Sequence, residues 1–297
     1  MSQAAAPTVV AVVVTYRRPA VLAHLLDVLE RQTWSLDHVV VVDNSPSPYE
    51  PASVGPSCTV VHTPENLGPA GGMQVGLRRA GELVADWDWA LLLDDDDPPL
   101  RDDAVARMVS AAQAARAADP AVRLVGLLGS RLDRRTGLFA TSCGARRTVP
   151  VDFVGGGYLP LLHRSAMRGD EGPFDPDLFW GCEELDAGLR VRARGGEVLA
   201  FDQLAEELGY WAKRDGVRSA QLEAPLERRY YAWRNAIAVC LTNRFRLAAA
   251  ATALRVAASG LVGLVGLRGG PRRAVVAARA IRDGYGRRLG RVVDASK

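Results

Sequence analysis

Apolar and polar positions in the first hundred residues switch between two periods. Val9 to Val14 is an unbroken, mostly β-branched run, whereas Pro19 to Gln32 sets Val21, Leu22, Leu25, Leu26 and Leu29 at helical spacing. The pattern predicts strand, then helix. It recurs: His38 to Val42 and Cys58 to His62 read as strands, Leu67 to Leu83 as a helix, and Trp89 to Leu93 as a fourth strand. Strands alternating with helices imply a mostly parallel sheet with helices on both faces, an α/β class in which ligands bind at the carboxyl ends of the strands. Thr15, Asp43, Asn66 and Asp94 all fall at such ends.

The second half is less regular. Leu124 to Leu128, Val149 to Val154 and Glu197 to Phe201 read as strands, with Gly155-Gly156-Gly157 after the second. Glu183 to Arg194 reads as a helix with acids in its first turn and arginines at its end, an arrangement that suits the helix dipole. Leu226, Tyr230, Trp233, Ile237 and Leu241 mark another amphipathic helix. Leu247 to Leu267 is 21 residues of mostly small and apolar type interrupted by Arg255, and three dispositions are open to it: lying on a membrane surface, packing on the rest of the protein, or spanning a bilayer.

Charge sharpens this division. The 297 residues carry a net +3, but Arg244 to Lys297 alone holds +10, leaving −7 on the preceding residues. The basic tail points to an anionic surface as partner. It is poor in aromatics and shows no nucleic-acid-binding module, so no nucleic acid is expected. Met1 to Pro7 lacks a basic region followed by an apolar stretch, which makes a cytoplasmic location the default. Cys58, Cys143, Cys182 and Cys240 stand singly, without the spacing of a zinc site or a disulfide framework.

The most distinctive chemistry is Asp94-Asp95-Asp96-Asp97 at the end of an apolar strand. Adjacent carboxylates repel, and a divalent cation relieves that repulsion; Mg2+ prefers one or two carboxylates plus phosphate oxygens to a complete protein cage. The run reads as a metal-diphosphate site, against the alternative of a solvated acidic turn.

Five segments, Val13 to Pro19, Val41 to Ser45, Glu65 to Gly68, Leu93 to Asp97 and Glu183 to Asp186, together resemble the family 2 glycosyltransferases of the GT-A fold. Asn66 to Gly72 and the aspartates are most similar to the bacterial rhamnosyl and galactofuranosyl transferases. The resemblance implies a GT-A catalytic domain over 1–225, with a nucleotide-sugar half at about 1–130 and an acceptor half at about 131–225, followed by a basic helical region at 226–297. It implies inverting transfer of a sugar from a UDP- or dTDP-sugar, galactofuranose or rhamnose favoured, to a hydroxyl of a glycan or polyprenyl-linked acceptor.

By the same resemblance Thr15, Tyr16, Arg18, Asp43, Asn66, Gly68, Gly72, Asp94 and Asp95 line the nucleotide sugar, and Lys213 and Arg214 are cations for its diphosphate. Asp96 and Asp94 hold Mg2+ or Mn2+. Many relatives add a histidine about twenty residues past the base; none stands here, and Glu206 or Glu207 is the expected substitute. Glu184 takes the place of the carboxylate base, with Glu183 as the alternative. Gly156, Gly157 and Trp180 fall on the acceptor side, Trp180 being equally suited to a core. The absence of a Gln-x-x-Arg-Trp element argues for single additions. Peripheral contact of 244–297 with the inner face of the cell membrane is expected, self-association is left open, and two other functions compete: a sugar nucleotidyltransferase and a non-catalytic nucleotide- or sugar-binding protein.

Overall fold

A computed structural model describes residues 6–48, 57–212, 225–264 and 270–292. Its central sheet is built from β1 (Val9–Thr15), β2 (His38–Asp43), β3 (Cys58–His62), β4 (Trp89–Asp94), β5 (Val122–Gly126), β8 (Thr148–Pro150), β10 (Leu161–His163) and β11 (Glu197–Phe201), in the order β3-β2-β1-β4-β10-β5-β11-β8. Strands β3, β2, β1 and β4 are parallel; β10 runs antiparallel between β4 and β5. A smaller sheet, β7-β6-β9, pairs β6 (Gly129–Leu132) with β7 (Phe139–Thr141) and β9 (Phe153–Val154).

Every residue of β1 is buried, which explains its unbroken apolar run: a parallel strand covered on both faces has no polar side to show. Val9, Ala11 and Val13 enter one core with α1 (Pro19–Glu30) and α3 (Ala104–Ala118). Val10, Val12 and Val14 enter the other with α2 (Gly68–Leu83). Glycines let α2 lie close, since a Cβ on Gly72 would stand 2.7 Å from Val14 and one on Gly76 2.2 Å from Val12.

Two expectations need correction. Val149 to Val154 is not one strand: β8 joins the large sheet and β9 the small one, and between them the Asp152 carboxylate accepts from the Leu132 amide at 2.8 Å. Helix α3 and strand β10 were not anticipated. β10 follows the glycine turn and joins β4 to β5, so the sheet continues without interruption.

The C-terminal helices α6 (Leu226–Thr242), α7 (Arg246–Leu264) and α8 (Gly270–Tyr285) pack on one another and on α4 (Glu183–Ala193). Leu185 and Leu189 of α4 share a core with Ile237, Val239, Cys240, Ala248 and Ala249. Arg255, in the middle of α7, donates to the Thr136 carbonyl at 2.6 Å. Among the described residues no helix is long and apolar enough to cross a membrane.

Candidate active site

The carboxyl ends of β1, β2 and β4 form one edge of a cleft. Thr15 Oγ1 donates to Asp95 Oδ2 at 2.6 Å, and Arg18 reaches both Asp95 (2.6 Å) and Asp96 (2.5 Å). Asp95 is fully buried, and burial raises its pKa against the lowering pull of Thr15 and Arg18. Asp95 is therefore a strut under the turn, while half-exposed Asp96 faces outward.

Beside this edge a cavity of ≈ 370 Å3 is lined by Thr15, Arg17, Arg18, Asp43, Ser45 and Pro46 among others. Asp43 lies buried beneath it, accepting from the Ser45 amide at 2.9 Å, with His62 Nδ1 at 3.6 Å. Asn44 ties the edge together: its side chain donates to the Gly68 carbonyl at 3.1 Å and accepts from Thr63 Oγ1 at 2.8 Å. Asn66 is occupied locally, accepting from the Gly68 amide at 2.8 Å. Gly68 and Gly72 do permit close approach, but protein takes the space: a Cβ on Gly68 (φ +69°) would lie 2.0 Å from the Phe179 carbonyl oxygen.

The far wall is the first turn of α4. Gly188 seats this helix directly on the backbone of β9, where a Cβ would fall 2.1 Å from the Asp152 carbonyl oxygen. β9 runs on into Gly155, Gly156 and Gly157, so the same packing delivers the glycine turn and the glutamates to one place. The Gly156 amide donates to Glu184 Oε1 at 3.3 Å. A Cβ on Gly156 would stand 3.1 Å from Asp94 Oδ2 and 3.6 Å from Glu184 Oε1, and one on Gly157 2.9 Å from Asp97. The aspartates and the glutamate thus meet across a glycine turn that leaves the space between them open.

Negative charge crowds this space. Burial, then Glu184 and Asp97, push the Asp94 carboxyl up to about 8. Burial likewise raises Glu184, opposed by the amides of its own residue and of Gly156. Glu183 is the more enclosed of the pair, with Oε2 buried and unpartnered, and burial plus Glu184 hold it well above the usual carboxylate range. Such a concentration of oxygen donors with raised pKa values is chemically suited to a hard divalent cation.

The expected trio of Asp94, Asp96 and Glu206 is not assembled. Glu206, on α5 (Asp202–Glu207), pairs with Arg146 at 2.9 Å, and Glu207 with Arg107. Among the described residues no three His, Cys, Asp or Glu side chains are grouped to hold a metal ion. A larger hollow of ≈ 480 Å3 between α3 and α5 includes, of the expected residues, only Glu207, which is paired with Arg107, so the carboxylates and not the size of a hollow locate the site. Trp180 is half-buried beside Arg228, whose guanidinium sits 5.5 Å from its ring centre, within a cluster that includes Tyr230 and Tyr231. Tyr16 lies under Arg17 at the cleft edge. Lys213 and Arg214 fall outside the described residues.

The sequence reading missed what holds the glutamates. Phe179 (φ 63°), Gly181 (φ 80°) and Cys182 (φ 66°) put left-handed backbone immediately before α4. Asn235 of α6, fully buried, donates from its amide to the carbonyls of Leu178 (2.8 Å), Trp180 (2.9 Å) and Gly181 (2.8 Å). Neighbouring Arg234, also fully buried, adds bonds to Leu178 and Gly290. The available signal was an Arg-Asn pair inside an otherwise apolar helix face.

Comparison with known proteins bears on family and fold. Residues 10–154 match the family described as Glycosyl transferase family 2. Galactofuranosyltransferase GlfT1 of Mycobacterium tuberculosis (strain CDC 1551 / Oshkosh) is 46% identical over 94 residues, 30% of this chain and 30% of the relative. The protein of that name from Mycolicibacterium smegmatis is 41% identical over 108 residues, 35% of each. The matched stretch is thus about a third of the relatives' length. The crystal structure of S. aureus TarS 1-349 superposes with a TM-score of 0.53, covering 95% of this chain and 82% of that one at 12% identity, a likeness of fold. Motifs, sheet order and these likenesses converge: residues 10–154 are similar to glycosyl transferase family 2, on a GT-A fold.

Proposed function

We propose that the protein is an inverting glycosyltransferase that moves a sugar, galactofuranose in the first instance, from a nucleoside diphosphate to an acceptor hydroxyl. The observation that carries this reading is the pair of carboxylates, Asp94 and Glu184, on either side of Gly156. Galactofuranose is preferred because the curated relatives that match are galactofuranosyltransferases.

The nucleoside enters the cavity over Asp43, whose carboxylate accepts hydrogen bonds from ribose or base, with Thr15 and Arg18 at its rim. Asp96 and Asp94 would hold a divalent cation, with the remaining ligands coming from the donor diphosphate; when bound, the ion neutralises charge developing on the leaving group. Glu184 Oε2 accepts the proton of the acceptor hydroxyl as its oxygen bonds to the anomeric carbon. The bond from that carbon to the diphosphate oxygen breaks at the same time, and the nucleoside diphosphate leaves with the electron pair. Attack from the side opposite the leaving group inverts the anomeric centre. Glu184 suits the base because the Gly156 amide orients it and it faces the aspartates; Glu183 is enclosed. A cation held by Asp96 and Asp94 would favour the ionised form of the Glu184 carboxylate.

The test is a panel of UDP- and dTDP-sugars, with and without Mn2+, scored for released product. Nucleoside diphosphate released only when acceptor and metal are present supports the reading. A parallel assay with a nucleoside triphosphate and a sugar 1-phosphate tests the rival: release of inorganic diphosphate there would identify a nucleotidyltransferase, and binding without turnover in either assay a non-catalytic protein.

A further inference from the structure

The exposed large apolar side chains are unevenly distributed. Leu247, Leu254 and Leu261 on α7 are 66%, 72% and 62% exposed. Seven residues apart, they advance only about 20° around the helix per step and so form one row. Ala251 and Ala258 lie within that row, Arg246 and Arg255 fall on its opposite flanks, and α7 contains no acid. The other side of α7, with Ala248, Ala249 and Val256, is buried.

A second element adds to this surface. The β6–β7 hairpin exposes Leu138 and Phe139, 54% and 50%, and Arg131, Arg134 and Arg135 lie beside them. Its tip rests on α7: a Cβ on Gly137 would stand 2.5 Å from Thr252 and 3.2 Å from Arg255, and Arg134 sits over the Phe245 ring. The hairpin also belongs to the small sheet whose strand β9 runs into the Gly155 to Gly157 turn beside Glu184. Apolar side chains bordered by arginines are therefore presented by two elements that touch, one of them joined through β9 to the glycine turn beside Glu184.

We propose that the β6–β7 tip and the outward row of α7 form a single surface that rests on an anionic phospholipid bilayer. Leucine and phenylalanine enter the headgroup boundary while the flanking arginines meet lipid phosphates, the arrangement of a helix lying in the membrane plane. Charge complementarity selects this occupant, because a second copy of the chain would set arginine against arginine. On the reading of the active site given above, the surface brings the enzyme to an acceptor anchored in that bilayer.

The experiment is sedimentation of the full chain with phosphatidylcholine vesicles, with and without phosphatidylglycerol, beside turnover on a water-soluble acceptor. Wild type partitions onto the phosphatidylglycerol vesicles and is released by salt, because exposed charges are screened. The variants Leu254→Ser/Leu261→Ser and Leu138→Ser/Phe139→Ser each lower the partition coefficient by about tenfold or more, with melting temperature and soluble-acceptor turnover unchanged. Wild type that stays in solution, or variants that bind as well as wild type, overturns the proposal even if turnover is normal, leaving the catalytic reading intact. A concentration-dependent dimer abolished by the leucine substitutions would assign the row to a second copy and overturns it as well. Wild type that binds the vesicles but turns over no acceptor would instead count against the catalytic reading.

Discussion

Asn235→Ala tests whether α6 positions Glu184, the proposed base. The side-chain amide has two N–H donors and serves three carbonyls within 3 Å, so at least one bond is shared; its oxygen also accepts from Arg234 Nε at 2.8 Å. Removing it leaves buried carbonyls and an arginine N–H short of partners at a fully buried position. At about 1 kcal/mol for each neutral bond lost, and more for a buried group left without a partner, the cost comes to about 2–4 kcal/mol. The strained backbone raises the stakes, since Phe179 and Cys182 are non-glycine residues at positive φ, each costing on the order of 1–3 kcal/mol. Freed from Asn235, the 179–182 segment relaxes toward ordinary dihedrals and carries the first turn of α4, hence Glu184, away from Gly156. Urea unfolding should show the stability loss at unchanged m-value. Steady-state kinetics should show kcat reduced by about tenfold or more, with donor KM nearly constant because the nucleoside cavity lies on β1 and β2. A variant that loses stability but keeps kcat would refute the link to the base, and one that loses neither would refute the hydrogen-bond argument itself.

Other outcomes follow from the same cleft. Glu184→Gln should lower transfer by about 10²–10⁴-fold while nucleotide binding by calorimetry persists; Glu183→Gln, a neutral isostere at a position where burial and Glu184 disfavour the charged carboxylate, should lose less than tenfold. Asp94 keeps its proton in the folded state up to about 8, far above its ordinary 3.8, so its contribution to stability is complete below about pH 4 and is lost as pH rises through 8. Melting temperature without metal should therefore fall over that window, and Asp94→Asn should flatten the fall; an unchanged slope in the variant would refute the assignment. Gly156→Ala puts a methyl group 3.1 Å from Asp94 Oδ2, in the space between the two carboxylates, and should abolish turnover with little change in melting temperature. Wild-type turnover in that variant would show that the reacting groups meet elsewhere.

How much of this was legible in the sequence depended on how local the determining physics was. Val9 to Val14 and Trp89 to Leu93 were readable because strands buried on both faces need a continuous apolar run, and α1 because its leucine stripe faces a single core. β10 was not, since three residues carry no period and their place between β4 and β5 is a long-range choice. Val149 to Val154 misled because a strand that changes sheets at Asp152 looks like one strand until Leu132 is seen bonding to that carboxylate. α3, rich in alanine, shows too weak an apolar stripe to register as periodic.

The site divides in the same way. Aspartates at the end of β4 declare themselves by clustering, but their meeting with Glu184, nearly ninety positions away, is produced by Gly188 pressing α4 onto β9, and a glycine in a helix does not announce its partner. Asn235 is more distant still. Its function lies in the carbonyls it satisfies, and those carbonyls converge only because Phe179, Gly181 and Cys182 adopt left-handed backbone. That conformation would be unfavourable for the segment alone, so α6 and the loop specify each other: the helix stabilises an otherwise unfavourable turn, and the turn aims the glutamates. The C-terminal helices, basic and separable in composition, are on this argument part of what makes the catalytic cleft, because their buried polar pair holds the backbone from which Glu184 is projected.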